Sequence, residues 1–449
     1  MRTPGGILAA VGLGMALVVG VAIFAPLSSL RNAPPATRDR DPPDVGALLS
    51  PAAAAGRTAD QIAALQTRLK EGEGEDWRLY ASLGLAYLQE ARASADPSFY
   101  VKAAGVLRRS LALNRSDNYE AMVGMGTLAA ARHDFAGALA WGRSAKEVNP
   151  HNSYARGLIG DALFELGRYS EGIAAYQDMV DLRPDLASYA RIAYARELTG
   201  DVRGAIEAMR LATGVASGSP EDAAWAYYQL GELLFGSGRI AAAEQAYSHG
   251  AARSPGNPLP LIGLAKIDAA RGHARAAARQ VADVVTGYPA PEFAILAGDL
   301  FAVAGERRES RAQYDLVRAT QSLLEANGVD TDLEVALFDT DHGTEPGRTV
   351  REARSGYAKR PSIQAADALA WALYGAGRYR EAGRYSLEAL RLGTRSGPFH
   401  YHAGMIALRL GDRAGARAHL SKALSLNPHF SWIHAPVARR TLQRLRVRP

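Results

Sequence analysis

One series of intervals recurs along this chain and constrains it more than any other feature. A small residue is followed after seven positions by glycine, after five more by a second small residue, and after a further twelve by proline. Gly160, Gly167, Gly172 and Pro184 mark one copy; Gly231, Gly238, Ala243 and Pro255 mark another in the same register. Bulky residues hold fixed places between the marks, Leu163 and Tyr176 in the first copy, Leu234 and Tyr247 in the second. Two closely packed helices account for this spacing. Small residues let the backbones approach, the turn glycine accepts positive φ, and proline ends the second helix because it cannot continue the hydrogen-bond ladder.

Further copies pair Gly84 with Ala103, Gly126 with Ala138 and Pro150, Ala193 with Gly200 and Ala205, and Ala265 with Gly272, Ala277 and Pro289. The last three are Gly298 with Gly305 and Tyr314, Ala370 with Gly377 and Ala382, and Gly404 with Gly411, Ala416 and Pro428. The series resembles the tetratricopeptide repeat, a helical hairpin of ~34 residues. Residues 77–430 span 354 positions, room for about ten such units. The resemblance implies an all-α chain, a right-handed α-solenoid or superhelix of about ten hairpins. An array of this kind needs no single core, so its length does not count domains.

Departures from the pattern suggest the organisation. We expect an N-terminal stack over 61–328 and a C-terminal stack over 329–430 whose first unit is degenerate. Extra residues around 93–97 are expected to lengthen the first hairpin connection into an exposed loop. Residues 340–348 replace a tight turn, residues 321–327 are expected to extend a helix, and residues 431–449 are expected to cap the last unit.

Residues 5–27 carry no charge, and at ~1.5 Å per residue such a run is long enough for a helix to cross a ~30 Å hydrocarbon core. Residues 1–30 therefore read as a membrane anchor or export signal. Pro26 directly after Ala22-Ile23-Phe24-Ala25 disfavours cleavage there and points to an anchor. Arg2 competes with Arg31, Arg38 and Arg40 over orientation; the likeness to an export signal points to an extracytoplasmic body. Residues 31–60, rich in Pro and Ala, read as a flexible linker. Hydrophobic residues at 48% and charged residues at 22% fit a folded chain rather than a disordered one. A net charge of +6 is too diffuse to imply nucleic acid. Without cysteine there is no disulfide, thiolate metal site or cysteine nucleophile.

In a stacked array the first helix of each hairpin lines the concave wall. Its inward positions are Tyr154, Asp161 and Phe164 in the third unit, Tyr194 and Glu197 in the fourth, and Trp225, Tyr228, Glu232 and Phe235 in the fifth. Later units contribute Lys266, Asp299, Asp367, Trp371, Tyr374, Tyr401 and Met405. This stripe is aromatic and mostly acidic, which suits an extended peptide with apolar and basic side chains. Relatives of the repeat that clamp a C-terminal carboxylate use Lys, Arg and Asn on this face, and the matching positions here do not supply them.

Chemistry of other kinds has little to stand on. His400 and His402, two apart on a helix, point to different faces; His342 with Asp339 and Asp341 falls in an expected turn. No phosphate-cradling loop or nucleophile elbow is present, so no catalytic residue, cofactor or metal is expected. The sequence thus predicts a non-catalytic scaffold, tethered at a membrane, that binds a protein or peptide in its groove. A carbohydrate- or lipid-binding component of an envelope machine is the alternative, which clustered aromatics without matched charges would favour.

Overall fold

The glycine-to-proline intervals become helix pairs in the computed structural model, which describes residues 56–447 apart from Glu73 and Thr344. A first helix, α1 (Gly56–Lys70), precedes ten hairpins. The first five are α2 (Trp77–Ser94) with α3 (Ser98–Leu113), α4 (Tyr119–Ala131) with α5 (Phe135–Val148), α6 (Ser153–Glu165) with α7 (Tyr169–Leu182), α8 (Leu186–Leu198) with α9 (Val202–Val215), and α10 (Pro220–Gly236) with α11 (Ile240–Arg253). The second five are α12 (Pro258–Ala270) with α13 (Ala274–Gly287), α14 (Pro291–Val303) with α15 (Arg307–Ala326), α16 (Asp332–His342) with α17 (Pro346–Lys359), α18 (Ile363–Gly375) with α19 (Tyr379–Ala389), and α20 (Gly397–Arg409) with α21 (Arg413–Leu426). Helix α22 (His434–Val447) packs on the last hairpin, burying Ala435, Ala438, Leu442 and Leu445 against it. The described residues contain no strand, and the fold is an all-helical solenoid.

Local chemistry sets the hairpin ends. Asp134, Asp201 and Asp412 stand directly before α5, α9 and α21, and each carboxylate accepts the backbone N–H three residues on, from Gly137, Gly204 and Gly415. That satisfies a donor which a helix start leaves unpaired. In five of the pairs a side chain of the second helix sits on the bare backbone of a glycine in the first. A Cβ on Gly160, Gly231 or Gly298 would collide with the ring of Tyr176, Tyr247 or Tyr314, and one on Gly84 or Gly404 with Leu107 or Leu420.

Three expectations change. The extra residues near 93–97 lengthen α2 to Ser94 and leave a short link in which Pro97 is buried, because apolar periodicity continues through Ala91 and its burial extends the helix. Residues 340–348 contain the end of α16 and the start of α17, so the eighth unit is a hairpin like the others. Helix α1 takes in residues 56–60, which the sequence assigns to the linker. The extension over 321–327 is found, since α15 runs to Ala326. Residues 1–55, with the anchor and most of the linker, lie outside the described residues. Among the described residues no helix is long and apolar enough to cross a membrane.

The solenoid meets itself. The tip of each of the first five hairpins touches the loop that follows the hairpin five units further along. Tyr288 donates its hydroxyl to the carbonyl of Arg92 at 3.3 Å. His133, at φ 61°, contacts the Asp330 carbonyl through Nδ1 at 2.6 Å, and the Asp330 N–H donates to Arg132 at 3.1 Å. Gly167, Gly200 and Gly238 abut the carbonyl oxygens of Pro361, Gly393 and Leu426 so closely that a Cβ would collide. Ten units therefore form two stacked turns of five. The seam is apolar in its middle, where Phe164, Tyr169, Tyr194 and Leu198 pack against Ile363, Ala366, Ala389 and Phe399. The Ile363 N–H donates to the Tyr169 hydroxyl at 2.7 Å.

Positive φ is found at Gly167, Gly200, Gly238, Gly272, Gly305, Gly377 and Gly411, but of these only the seam glycines also need space. Gly272→Ala, at φ 95° with nothing near its missing Cβ, should lose about 1–2 kcal/mol from left-handed strain alone. Gly167→Ala, at φ 70° against Pro361, should lose at least about twice that, read as the shift of a chemical denaturation midpoint. Equal losses would contradict the seam.

A titratable group is sealed into the same contact. Glu165 is 3% exposed, and burial pushes its carboxyl up to about 7, with Arg360 opposing and Glu334 and Asp161 reinforcing. Because the folded-state value is raised, its contribution to stability is complete below the ordinary carboxylate range and is lost as pH rises through about 7. Glu165→Gln should flatten that fall, worth up to about 3 kcal/mol at roughly 1.36 kcal/mol per unit. Stability profiles that run parallel across this range would refute the assignment.

Candidate binding site

The twelve residues expected along a groove are on the inner face of the first helices, and most are enclosed there by the second turn and by neighbouring units. Tyr154, Asp161, Phe164, Tyr194, Tyr228, Phe235, Asp299 and Trp371 are buried, while Glu197, Trp225, Glu232 and Tyr374 are partly so. Phe164 stacks on Tyr176 with ring centres 4.9 Å apart. Tyr154 shares a hydrogen bond with Thr127 at 3.3 Å. Trp371 lies between Tyr374 and His402, 4.6 and 4.2 Å from their ring centres, and donates Nε1–H to Asp341 at 2.8 Å. Trp225 packs beside Met179 and Ala187.

Three of the acidic residues are joints of the wall. Asp161 accepts the Tyr176 hydroxyl at 2.8 Å and a two-pronged grip from Arg191, Nε at 2.8 Å and Nη2 at 2.7 Å. Glu232 accepts Tyr247 at 2.6 Å and Lys266 Nζ at 2.8 and 2.6 Å. Asp299 accepts Tyr314 at 2.9 Å and faces His342 Nε2 at 3.5 Å. In each, the acid is on the first helix of a unit, the tyrosine fifteen residues on in the same unit, and the base on the first helix of the next. The acid thus ties a hairpin together and, at Asp161 and Glu232, fixes the following hairpin to it. His402 does the same for Asp367 through Nδ1 at 2.9 Å, while His400 faces His419; the two histidines serve different faces of α20. His342 is packed against Tyr314 and Phe338, and burial lowers its pKa to about 3, with Arg318 adding.

One cavity of about 440 Å³ remains open inside the array. It lies where α8, α10, α12 and α14 of the first turn and the start of the second face the loops after the ninth and tenth hairpins. Of the twelve expected residues it gathers Glu197, Glu232 and Phe235. It adds Gln229, Gln364 and Trp432, which no repeat position singles out. Trp432 stands in the loop after the last hairpin and reaches Phe235, ring centres 6.3 Å apart, only because the second turn stacks on the first. The signal for it in the sequence was a bulky aromatic just past the last proline, with nothing to say where the loop returns.

Polar groups in this cavity are incompletely satisfied. Gln364 donates Nε2–H to the Tyr194 hydroxyl at 3.0 Å, and its Oε1 has no partner; Gln229 Nε2 has none either. The Glu197 carboxyl, pushed up to about 7 by burial and by the charge of Glu232, meets no hydrogen-bond donor or cation among the described residues. Volume, aromatic walls and unmet hydrogen-bonding groups together are the attributes of a ligand site.

The acid joints have a clear energetic signature. Arg191→Ala leaves Asp161 buried without its cation and should destabilise by about 3–5 kcal/mol, whereas Asp161→Leu combined with Arg191→Met should recover most of this. Denaturation of the single and double variants decides it; a loss below about 1 kcal/mol for the single change would mean that the pair holds nothing together.

A family model described as tetratricopeptide repeat matches residues 145–187 and 368–429. "Cellulose synthase 1 operon protein C" of Komagataeibacter xylinus is 31% identical over 208 residues, which is 43% of this chain and 15% of that protein. The match therefore spans a small part of that relative. Among solved structures, the Cut9-Hcn1 assembly superposes over 87% of this chain and 82% of its own at 14% identity and a TM-score of 0.42. A tetratricopeptide repeat protein from Parabacteroides merdae covers 58% of this chain and 98% of its own at 16% identity and 0.34. The pilF protein of Pseudomonas aeruginosa covers 49% and 96% at 19% identity and 0.36. Over residues 145–187 and 368–429, where hairpins and turn glycines coincide with the match, the chain carries tetratricopeptide repeats.

Proposed function

We propose that the chain is a non-catalytic scaffold that holds a segment of another polypeptide, tethered at a membrane through residues 1–30 with its body on the extracytoplasmic side. The seam cavity carries this reading: it combines a size suited to a few side chains with Phe235 and Trp432 as apolar walls and unmet donors and acceptors that fit peptide groups. A continuous open groove is not needed. The acids that such a groove would have offered are consumed as joints, which concentrates the free valence at Glu197, Gln229 and Gln364.

Tethering rests on the uncharged run at residues 5–27. A photo-crosslinking residue at Gln229 in the full-length chain should form adducts with a polypeptide other than the chain itself, and one at Leu387, 74% exposed on the outside, should not form the same adducts. Adducts from position 387 alone would overturn the reading.

The second reading, a carbohydrate ligand, is favoured by the Trp432 and Phe235 rings and by the partial likeness to a protein named for a cellulose synthase operon. It predicts that cello-oligosaccharides change Trp432 fluorescence; the peptide reading predicts no change.

A further inference from the structure

We infer that the seam cavity selects a basic side chain, arginine above lysine, seating its cation between the Glu197 carboxylate and the Gln364 amide oxygen. This rests on the peptide-binding reading above and specifies its ligand.

Four observations lead there. Tyr194 and Glu197 are three apart on α8 and share a face. Gln364 is fixed to that face by its bond to Tyr194 at 3.0 Å, so its Oε1 and the Glu197 carboxylate are two acceptors on one side of the cavity. Gln364 Oε1 has no hydrogen-bond partner, and neither group meets a donor among the described residues. Lys266, a cation on the inner wall, is held by Glu232 at 2.6 and 2.8 Å, so it is committed to that acid and leaves Glu197 without a cation of its own.

A partly buried carboxylate without a partner is costly, and a cation that brings several N–H donors in a plane offsets that cost best. Guanidinium offers five donors and stacks on aromatic faces; Lys266 Nζ already stands over the Phe235 ring at 4.6 Å, so Trp432 provides the face beside it. Ammonium has three donors that radiate from a point instead of lying in a plane, and it does not stack as a flat group. Burial and the neighbouring Glu232 already hold the empty Glu197 near the threshold of protonation, so an entering cation would drive it to the charged form. Exposed Arg203, Arg239 and Arg395 ring the mouth with Asp201. Solvent screens these outer charges more than the inner carboxylate, and they favour acidic residues flanking the bound cation.

The test uses labelled alanine-rich peptides with a central Arg, Lys, Gln or Glu, titrated into the full-length chain by fluorescence anisotropy, with arginine amide alone as a further arm. Arg should bind at least about tenfold tighter than Gln and Glu, with Lys between. Glu197→Gln should remove that preference while leaving the Gln peptide unchanged. Gln364→Leu, which keeps the carboxylate, should narrow the gap between Arg and Lys. Binding that ignores the central residue overturns the charge selectivity and leaves the peptide reading standing. No binding by any peptide, or arginine amide binding as tightly as the Arg peptide, overturns both.

Discussion

The stacking of this molecule is set by side chains of one helix resting on small residues of its partner, glycine in five of the ten hairpins. Tyr176 on Gly160, Tyr247 on Gly231 and Tyr314 on Gly298 set the depth to which paired helices nest. The hydroxyl at the end of each of those rings then finds an acid on the same first helix, and Asp161 and Glu232 in turn hold a cation on the next unit. Nesting therefore also dictates how each hairpin sits on the one before it. A small constant rotation per unit accumulates along the array, and after five units the chain returns to its own starting face.

That return changes the meaning of the concave wall. In an open solenoid the inner aromatics and acids would await a ligand; in this one the second turn covers many of them. Tyr169 and Tyr194 serve as hydrogen-bond acceptors for Ile363 and Gln364 from the opposite turn. The buried acids cost desolvation, which is why their tyrosine and basic partners are so close, and why removing one partner is expected to hurt more than replacing the set. What remains for recognition is the gap where the turns do not meet, and its chemistry comes from both of them.

Much of the fold was legible because glycine, alanine and proline act locally. A turn glycine such as Gly238, at φ 75°, or the proline after a second helix announces itself within its own hairpin. The number of units, the extension of α15 and the capping helix α22 could be read in the same way. Closure could not, since it joins residues near 190 positions apart, such as Tyr169 and Ile363, and the rotation per unit is written in no single residue. Hence Asp161 and Asp299 look like groove acids in the sequence, and Gln364 and Trp432 look like nothing in particular. Glu197, Glu232, Phe235 and Lys266 were both foreseeable and gathered at the cavity.

Stacking of two five-unit turns is the central claim, and amide hydrogen exchange tests it most directly. The N–H groups of Asp330 and Ile363 are at inter-hairpin positions that an open solenoid would leave to water, and they donate to Arg132 and Tyr169 of the other turn. The account predicts that both exchange as slowly as amides within the neighbouring helices. Exchange at the rate of an unstructured chain, with the helices still protected, would show that the turns do not meet.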